Sequence, residues 1–285
     1  MKILVTGGKG QLGCEINKLS CKYNYSWFFS DIDNFDFSEL KHIYDFLNKC
    51  SPDIIINCAA YTDVNNAEDD FETANIINHE SVALISKWCN NNNCKLIHIS
   101  TDYVYSGTSS IPIVEDIQAI PINNYGKTKL YGDISCLKNN PSSIIIRTAW
   151  LYSSFGKNFV KKMINLMKTK SHIYIVNDQF GSPTYAADLA EIILQIINDN
   201  IIISGIYHYT NFGNLSWFDF ANDIKSIYGF NTIIDPISSK DYSKKTKRPK
   251  YSILDNSKIK NTLGINQKNY FDSLKRCVKI LKNES

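Results

Sequence analysis

The chain has 285 residues, 44% of them hydrophobic and 21% charged, an ordinary globular composition that can bury one large core or two intimate ones. A formal charge of +3 comes from scattered lysines, with only KKTKRPK (244–250) locally dense, so charge gives no argument for a nucleic-acid partner. Eight cysteines form no C-x-x-C pair or metal-type cluster, no leader segment stands out, and no apolar run reaches the roughly eighteen residues of a membrane span, so a cytoplasmic, reduced protein without membrane contact or metal site is expected.

In chain order, KILVTG (2–7), WFFSD (27–31), DIIINCAA (53–60), KLIHIST (95–101) and SIIIRTAW (143–150) have the length and β-branched content of buried strands. Their apolarity is continuous rather than alternating, which favours a parallel sheet covered on both faces. Amphipathic stretches at 11–22, 38–49, 72–91 and 126–138 lie between them and predict helices. The pattern predicts an α/β fold with a Rossmann-type doubly wound parallel sheet over residues 1–150. Beyond residue 150 the rhythm loosens. Helical NFVKKMINLMKT, strand IYIV, helical AADLAEIILQII, strand GIYHYT, helical WFDFANDIKSIY and a polar stretch at 236–252 predict a smaller C-terminal α/β region over 151–285. Part of that region is expected to return to the first domain.

The stretch TGGKGQLGCEI (6–16) follows the first strand and opens the first helix. Gly7, Gly10 and Gly13 would let backbone N–H groups approach a pyrophosphate at the helix N-terminus, with Gln11 and Leu12 beside it. Asp31 ends the second strand, where a carboxylate accepts hydrogen bonds from the hydroxyls of an adenosine ribose and repels a 2′-phosphate. Asp36 and Phe37 are placed to cover an adenine. Ala59, Ala60 and Tyr61 end the third strand, where small residues let a cofactor cross the sheet edge. NADH or NADPH is the expected cofactor.

Thr101 and Asp102 close the next apolar run, at the carboxyl edge where open α/β sheets bind ligands. In NNYGKTKLYG (123–132), Tyr125 and Lys129 stand at i and i+4, on one face of a helix. A tyrosine serves as general acid to a carbonyl if its phenol falls toward working pH, which a neighbouring ammonium would promote. The Thr101 hydroxyl could donate a second hydrogen bond to the developing oxyanion. The histidines show no ligand spacing, His98 reads as a buried, satisfied histidine, and no G-x-S-x-G follows a strand.

Together the glycine loop, STD at 100–102 and YGKTK at 125–129 resemble the extended short-chain dehydrogenase/reductases, and most closely the dTDP-4-dehydrorhamnose reductase family. The resemblance continues through CAAYTDVNNAE (58–68), RTAWLYSSFGKNFV (147–160), VNDQFGSPT (176–184), GIYHYTNFGNLSWFDFA (205–221) and KRPKYSILD (247–255), nearly the whole chain. It implies hydride transfer to C4 of a nucleotide-linked 4-keto-6-deoxy sugar. Tyr125 would be the proton donor, Lys129 would tune it and hold the nicotinamide ribose, and Thr101 would orient the carbonyl. Asp102, Trp150, Gln179 and Arg248 fall at substrate-pocket positions. A homodimer is a further implication. Asn65 departs from the family pattern, which has an aspartate there. Glu15 matches a metal-binding glutamate of some relatives, but a lone first-helix glutamate reads as a helix-start charge. A neighbouring sugar specificity and a non-catalytic relative that keeps only the nucleotide fold are the competing readings; the complete Thr101, Tyr125 and Lys129 set argues for an enzyme.

Overall fold

The computed structural model describes residues 1–242 and 246–283; Lys244 and Lys245 of the basic stretch lie outside the described residues. The first half runs β1 (Lys2–Thr6), α1 (Gln11–Ser20), β2 (Ser26–Ser30), α2 (Ile43–Cys50), β3 (Ile54–Asn57), α3 (Phe71–Asn75), α4 (Ser81–Asn91), β4 (Lys95–Thr101), α5 (Asn124–Asn139) and β5 (Ile144–Thr148). The second half runs β6 (Leu151–Tyr152), α6 (Phe159–Thr169), β7 (His172–Val176), β8 (Phe180–Gly181), β9 (Thr184–Tyr185), α7 (Ala186–Asn198), β10 (Gly205–His208), β11 (Leu215–Ser216), α8 (Trp217–Tyr228), β12 (Ile233–Ile237), α9 (Ser257–Leu263) and α10 (Tyr270–Asn283).

The inner strands carry runs of consecutive apolar residues because both of their faces are covered. In β1, Ile3 and Val5 pack with Leu12 and Ile16 of α1 and Leu189 and Ile193 of α7. Leu4 points the other way, into a core with Leu47 of α2 and Val82 and Ile85 of α4. The same division recurs in β3 and β5, where Ile54, Ile56, Ile144 and Ile146 face one core and Ile55 and Ile145 the other. All six strands of this sheet are parallel, in the order β10-β5-β4-β3-β1-β2. From β1 the chain steps to β2 on one side and then crosses to β3 on the other. This reversal opens a crevice at the carboxyl ends, where such sheets take ligands.

Three local expectations change. The run at 27–31 is an edge strand, paired only with β1, and Phe28 is 44% exposed rather than buried. The helix expected over 72–91 is interrupted by a π-helical turn at Ile76–Glu80. Asn78 in that turn reaches across the fold, accepting from Tyr61 N–H at 2.9 Å and donating to the Tyr61 carbonyl and the Thr128 hydroxyl. The polar stretch from 236 overlaps a strand, since β12 pairs in parallel with β7.

Beyond β5, α7 and β10 return to the central sheet, while α6, α8 and α10 surround a separate core of Val160, Met163, Phe220, Ile224, Leu274 and Val278. Among the described residues no helix is long and apolar enough to cross a membrane.

Candidate active site

The glycine loop forms a cradle that side chains would fill. Gly7 has φ +65°, and a Cβ there would lie 2.8 Å from Ala59 N; at Gly13 a Cβ would lie 2.3 Å from Gly7 O. The N-cap of α1 is Gly10, without a side-chain cap, so the first N–H groups of the helix are left for a ligand. Asp31 braces this loop: Oδ2 accepts from Lys9 N–H at 2.7 Å and Oδ1 from Ile32 N–H at 2.9 Å. Each carboxylate oxygen keeps lone-pair capacity for a ribose hydroxyl. Lys9 forms an ion pair with Asp33 beside it. The residues present thus fit a dinucleotide.

A single cleft of about 1490 Å³ runs from this cradle across the sheet's carboxyl edge. Its walls include Gly7, Gly10, Gln11, Leu12, Gly13, Asp31, Asp36, Phe37, Ala59 and Ala60 at the cradle end, then Thr101, Asp102, Tyr125 and Lys129, and finally Trp150, Gln179 and Arg248. Tyr61 is not part of this lining; its backbone is held by Asn78, and its ring packs near Ala67, Ala74 and Tyr125.

Local capping places the central trio. Asn123 caps α5 by accepting from Gly126 N–H at 2.8 Å, and Glu68 accepts from Asn124 N–H at 2.9 Å, so Tyr125 and Lys129 project from a helix start tied down twice. Gly126 lets this start press against the chain beyond β4, since a Cβ would lie 2.1 Å from Tyr103 O. Thr101 Oγ1 donates to Asp102 Oδ1 at 3.1 Å and accepts from Tyr103 N–H at 3.2 Å. The rings of Tyr103 and Tyr125 meet edge to face, 5.5 Å apart.

Electrostatics differ from the expectation in one respect. Burial raises the Tyr125 phenol well above its ordinary value, and what opposes this is a hydrogen bond with Thr101 rather than the lysine. Lys129 directs its amine to the β4 backbone, donating to the Ile99 carbonyl at 2.8 Å, and burial brings it down to about 8. A buried phenol keeps its proton at neutral pH until a stronger base develops beside it, as an acid catalyst must. Burial also pushes the Asp102 carboxyl up to about 6, against the Ser252 and Thr101 hydroxyls.

The far end of the cleft is aromatic and cationic. Trp150 adopts φ +47°, a strained conformation for a bulky residue, and stacks on Trp217 at 3.4 Å between ring centroids, with Phe159 tilted against Trp217. Trp217 was not foreseen as a site residue; it lies in α8, and only the fold brings it to Trp150. The segment carrying Arg248 is stitched in place. Asn123 Nδ2 donates to the Lys247 carbonyl at 3.0 Å, and Phe180 N–H donates to the Lys250 carbonyl at 2.7 Å. Among the described residues Arg248 Nε is buried without a hydrogen-bond partner, an unspent cationic donor suited to an anionic ligand. Glu15 points inward, accepting from the Ser153 hydroxyl at 2.6 Å with only 1% of its surface exposed.

Comparison with known proteins agrees with this geometry. A family model described as the RmlD substrate binding domain matches residues 1–283. A dTDP-4-dehydrorhamnose reductase from Aggregatibacter actinomycetemcomitans is 34% identical over 286 residues, covering 96% of this chain and 97% of that protein. A crystal structure of a dTDP-4-dehydrorhamnose reductase from Clostridium acetobutylicum superimposes with a TM-score of 0.95 at 37% identity, over 99% of this chain and 100% of that one. A Bacillus anthracis dTDP-4-dehydrorhamnose reductase in complex with NADP gives 0.93 at 33% identity, over 97% and 98%. Matched over almost its whole length in sequence and in fold, the chain belongs to the dTDP-4-dehydrorhamnose reductase family of NAD(P)H-dependent oxidoreductases.

Proposed function

We propose that the chain reduces the C4 keto group of dTDP-4-dehydro-L-rhamnose to give dTDP-L-rhamnose, using NADH or NADPH, with Tyr125 as general acid. The observation that carries this reading is the convergence of Thr101, Tyr125 and Lys129 in one cleft between the glycine cradle and the Arg248 end. We assign the coenzyme to residues 1–150 together with α7 and β10, and the sugar nucleotide mainly to the rest of the chain.

Bound reduced nicotinamide supplies the hydride. Tyr125 holds a proton that burial makes hard to lose, and releases it to the C4 oxygen as negative charge builds there. Thr101 donates a hydrogen bond to the same oxygen by turning its hydroxyl from Asp102. The Lys129 ammonium stabilises the resulting phenolate across one helical turn. Arg248 pairs with the diphosphate, for which its free Nε is available, and the Trp150 and Trp217 stack bounds the sugar-nucleotide end of the cleft. Asp31 accepts from the adenosine ribose.

The deciding experiment is coenzyme oxidation with enzymatically generated dTDP-4-dehydro-L-rhamnose, followed by determination of the product's C4 configuration. Turnover to the rhamno product is expected. Turnover only with another nucleotide-linked 4-keto-6-deoxy sugar would replace this substrate with a neighbouring specificity, and no coenzyme oxidation with any such sugar would overturn the reading.

A further inference from the structure

The Lys129 amine is held by the Ile99 carbonyl rather than by Tyr125, and on its other side it abuts a buried polar array. Ala59 N–H donates to Thr6 Oγ1 at 3.1 Å, Thr6 Oγ1 lies 2.6 Å from Asn57 Oδ1, and Asn57 Nδ2 lies 3.0 Å from His98 Nδ1. Thr6, Asn57 and His98 are each at most 1% exposed. The direction of the array follows from its first member, because a backbone N–H can only donate. Thr6 therefore accepts at that end and passes its own hydrogen to the Asn57 carbonyl. The Asn57 amide nitrogen then faces His98 and donates to Nδ1, so the neutral ring carries its hydrogen on Nε2. The other side of the ring agrees. Nε2 faces Asp133 Oδ1 at 3.9 Å, a buried oxygen that has no hydrogen-bond partner among the described residues and only accepts.

The same Nε2 lies 3.4 Å from Lys129 Nζ. An N–H there cannot accept from an ammonium, so it disfavours the charged lysine on that side and turns the lysine's remaining hydrogens away from β4. We propose that Thr6, Asn57 and His98 form a hydrogen-bond chain of set polarity that presents an N–H, not a lone pair, to the Lys129 amine and so positions it. This assignment rests on the reading of Lys129 as a working residue of the reductase site.

The other groups around the lysine fit. Burial lowers the Lys129 amine to about 8, while Asp133 on α5 works in the opposite direction. The Cys58 and Cys136 thiols beside it are both pushed up to about 12 by burial, so they are neutral. His98 is held well below its ordinary value by burial and by the lysine itself, and stays a neutral dipole. Arg147 engages the second Asp133 oxygen at 3.0 Å, which leaves Oδ1 facing His98.

The test reverses the chain's polarity. In Thr6→Val the hydrogen on Thr6 is lost, Asn57 is free to turn its carbonyl to His98, and Nε2 becomes an acceptor for the ammonium. NMR of isotope-labelled lysine, with the Lys129 signal identified by its loss in Lys129→Arg, reads the titration without substrate. An upward shift of about one pH unit is expected. His98→Gln, whose amide can turn its oxygen to the lysine, should give the same direction and decides the matter if Thr6→Val does not fold. An unchanged or lowered titration in the folded variant overturns the proposal. Because the reading needs no turnover, it stands or falls separately from the choice of sugar substrate.

Discussion

At the scale of single residues, the proposed mechanism divides the work of the trio at the cleft centre between holding a proton and releasing it. Tyr125→Phe removes the proposed acid without disturbing the glycine cradle. Turnover should fall about 10²- to 10⁴-fold, while coenzyme affinity, measured by fluorescence titration, stays within a few-fold. Near-normal turnover would remove Tyr125 from the mechanism. The pH dependence belongs to Lys129, since the raised Tyr125 phenol remains protonated over the working range. With its amine lowered to about 8, kcat/KM for reduction should decline above about pH 8 as the ammonium is lost. The sign for stability is opposite. The folded lysine gives up its proton before the unfolded one, so charging it opposes folding at low pH, and its contribution to stability rises between about 8 and the ordinary lysine value of 10.5. Trp150 was legible as a site candidate from its motif. Its strained backbone and its Trp217 partner were not, because a dihedral and a contact between distant segments leave no periodic trace.

At the scale of elements, α5 is the part that must sit correctly, and Gly126 is what allows it. A methyl added there would meet the Tyr103 carbonyl, a backbone atom that cannot rotate aside. Gly126→Ala should therefore lift the α5 start off the β4 exit. A cost of about 1–3 kcal/mol in urea unfolding is expected, with kcat falling more than coenzyme affinity. Unchanged unfolding and kcat together would show that the contact relaxes without consequence. The helix itself was readable from the sequence at 126–138, within two residues of its observed limits. The π-helical turn was not, because it exists to let Asn78 reach Tyr61 and Thr128, partners that lie elsewhere in the chain.

At the scale of the whole molecule, the two cores are joined through Asp188 near the start of α7. Its carboxylate takes Arg276 at 2.7 Å, Lys268 at 3.1 Å, Asn211 at 2.9 Å and the Ser273 hydroxyl. Burial alone would raise this carboxyl, but Ser273 and the two cations hold it below its ordinary value. A depressed folded value means that the stabilisation is present above the unfolded value, near 3.8, and is lost as pH falls through the folded one. Asp188→Asn should cost about 3 kcal/mol in chemical denaturation at neutral pH, because it leaves two cations facing an uncharged amide. The difference from the parent should shrink below about pH 4. A constant difference across that range would detach the ion pairs from stability.

Local order determined a good deal here by itself. Apolar runs, amphipathic spacing and a glycine loop between a strand and a helix depend on neighbours in the chain, so the doubly wound sheet could be read without coordinates, and Thr101, Tyr125 and Lys129 could be named as the proposed set that lines one cleft. What only the tertiary structure decided depends on atoms brought together from far apart. These are which segments, α7 and β10, make the expected return to the first sheet, the edge position of β2, the stacking of Trp217 on Trp150 and the buried array under Lys129. His98 shows the distinction most plainly. As a letter in an apolar strand it reads as a satisfied core residue, and its bearing on the lysine emerges only when β1, β3, β4 and α5 are packed side by side and the direction of each hydrogen bond is traced from a backbone N–H that can only donate.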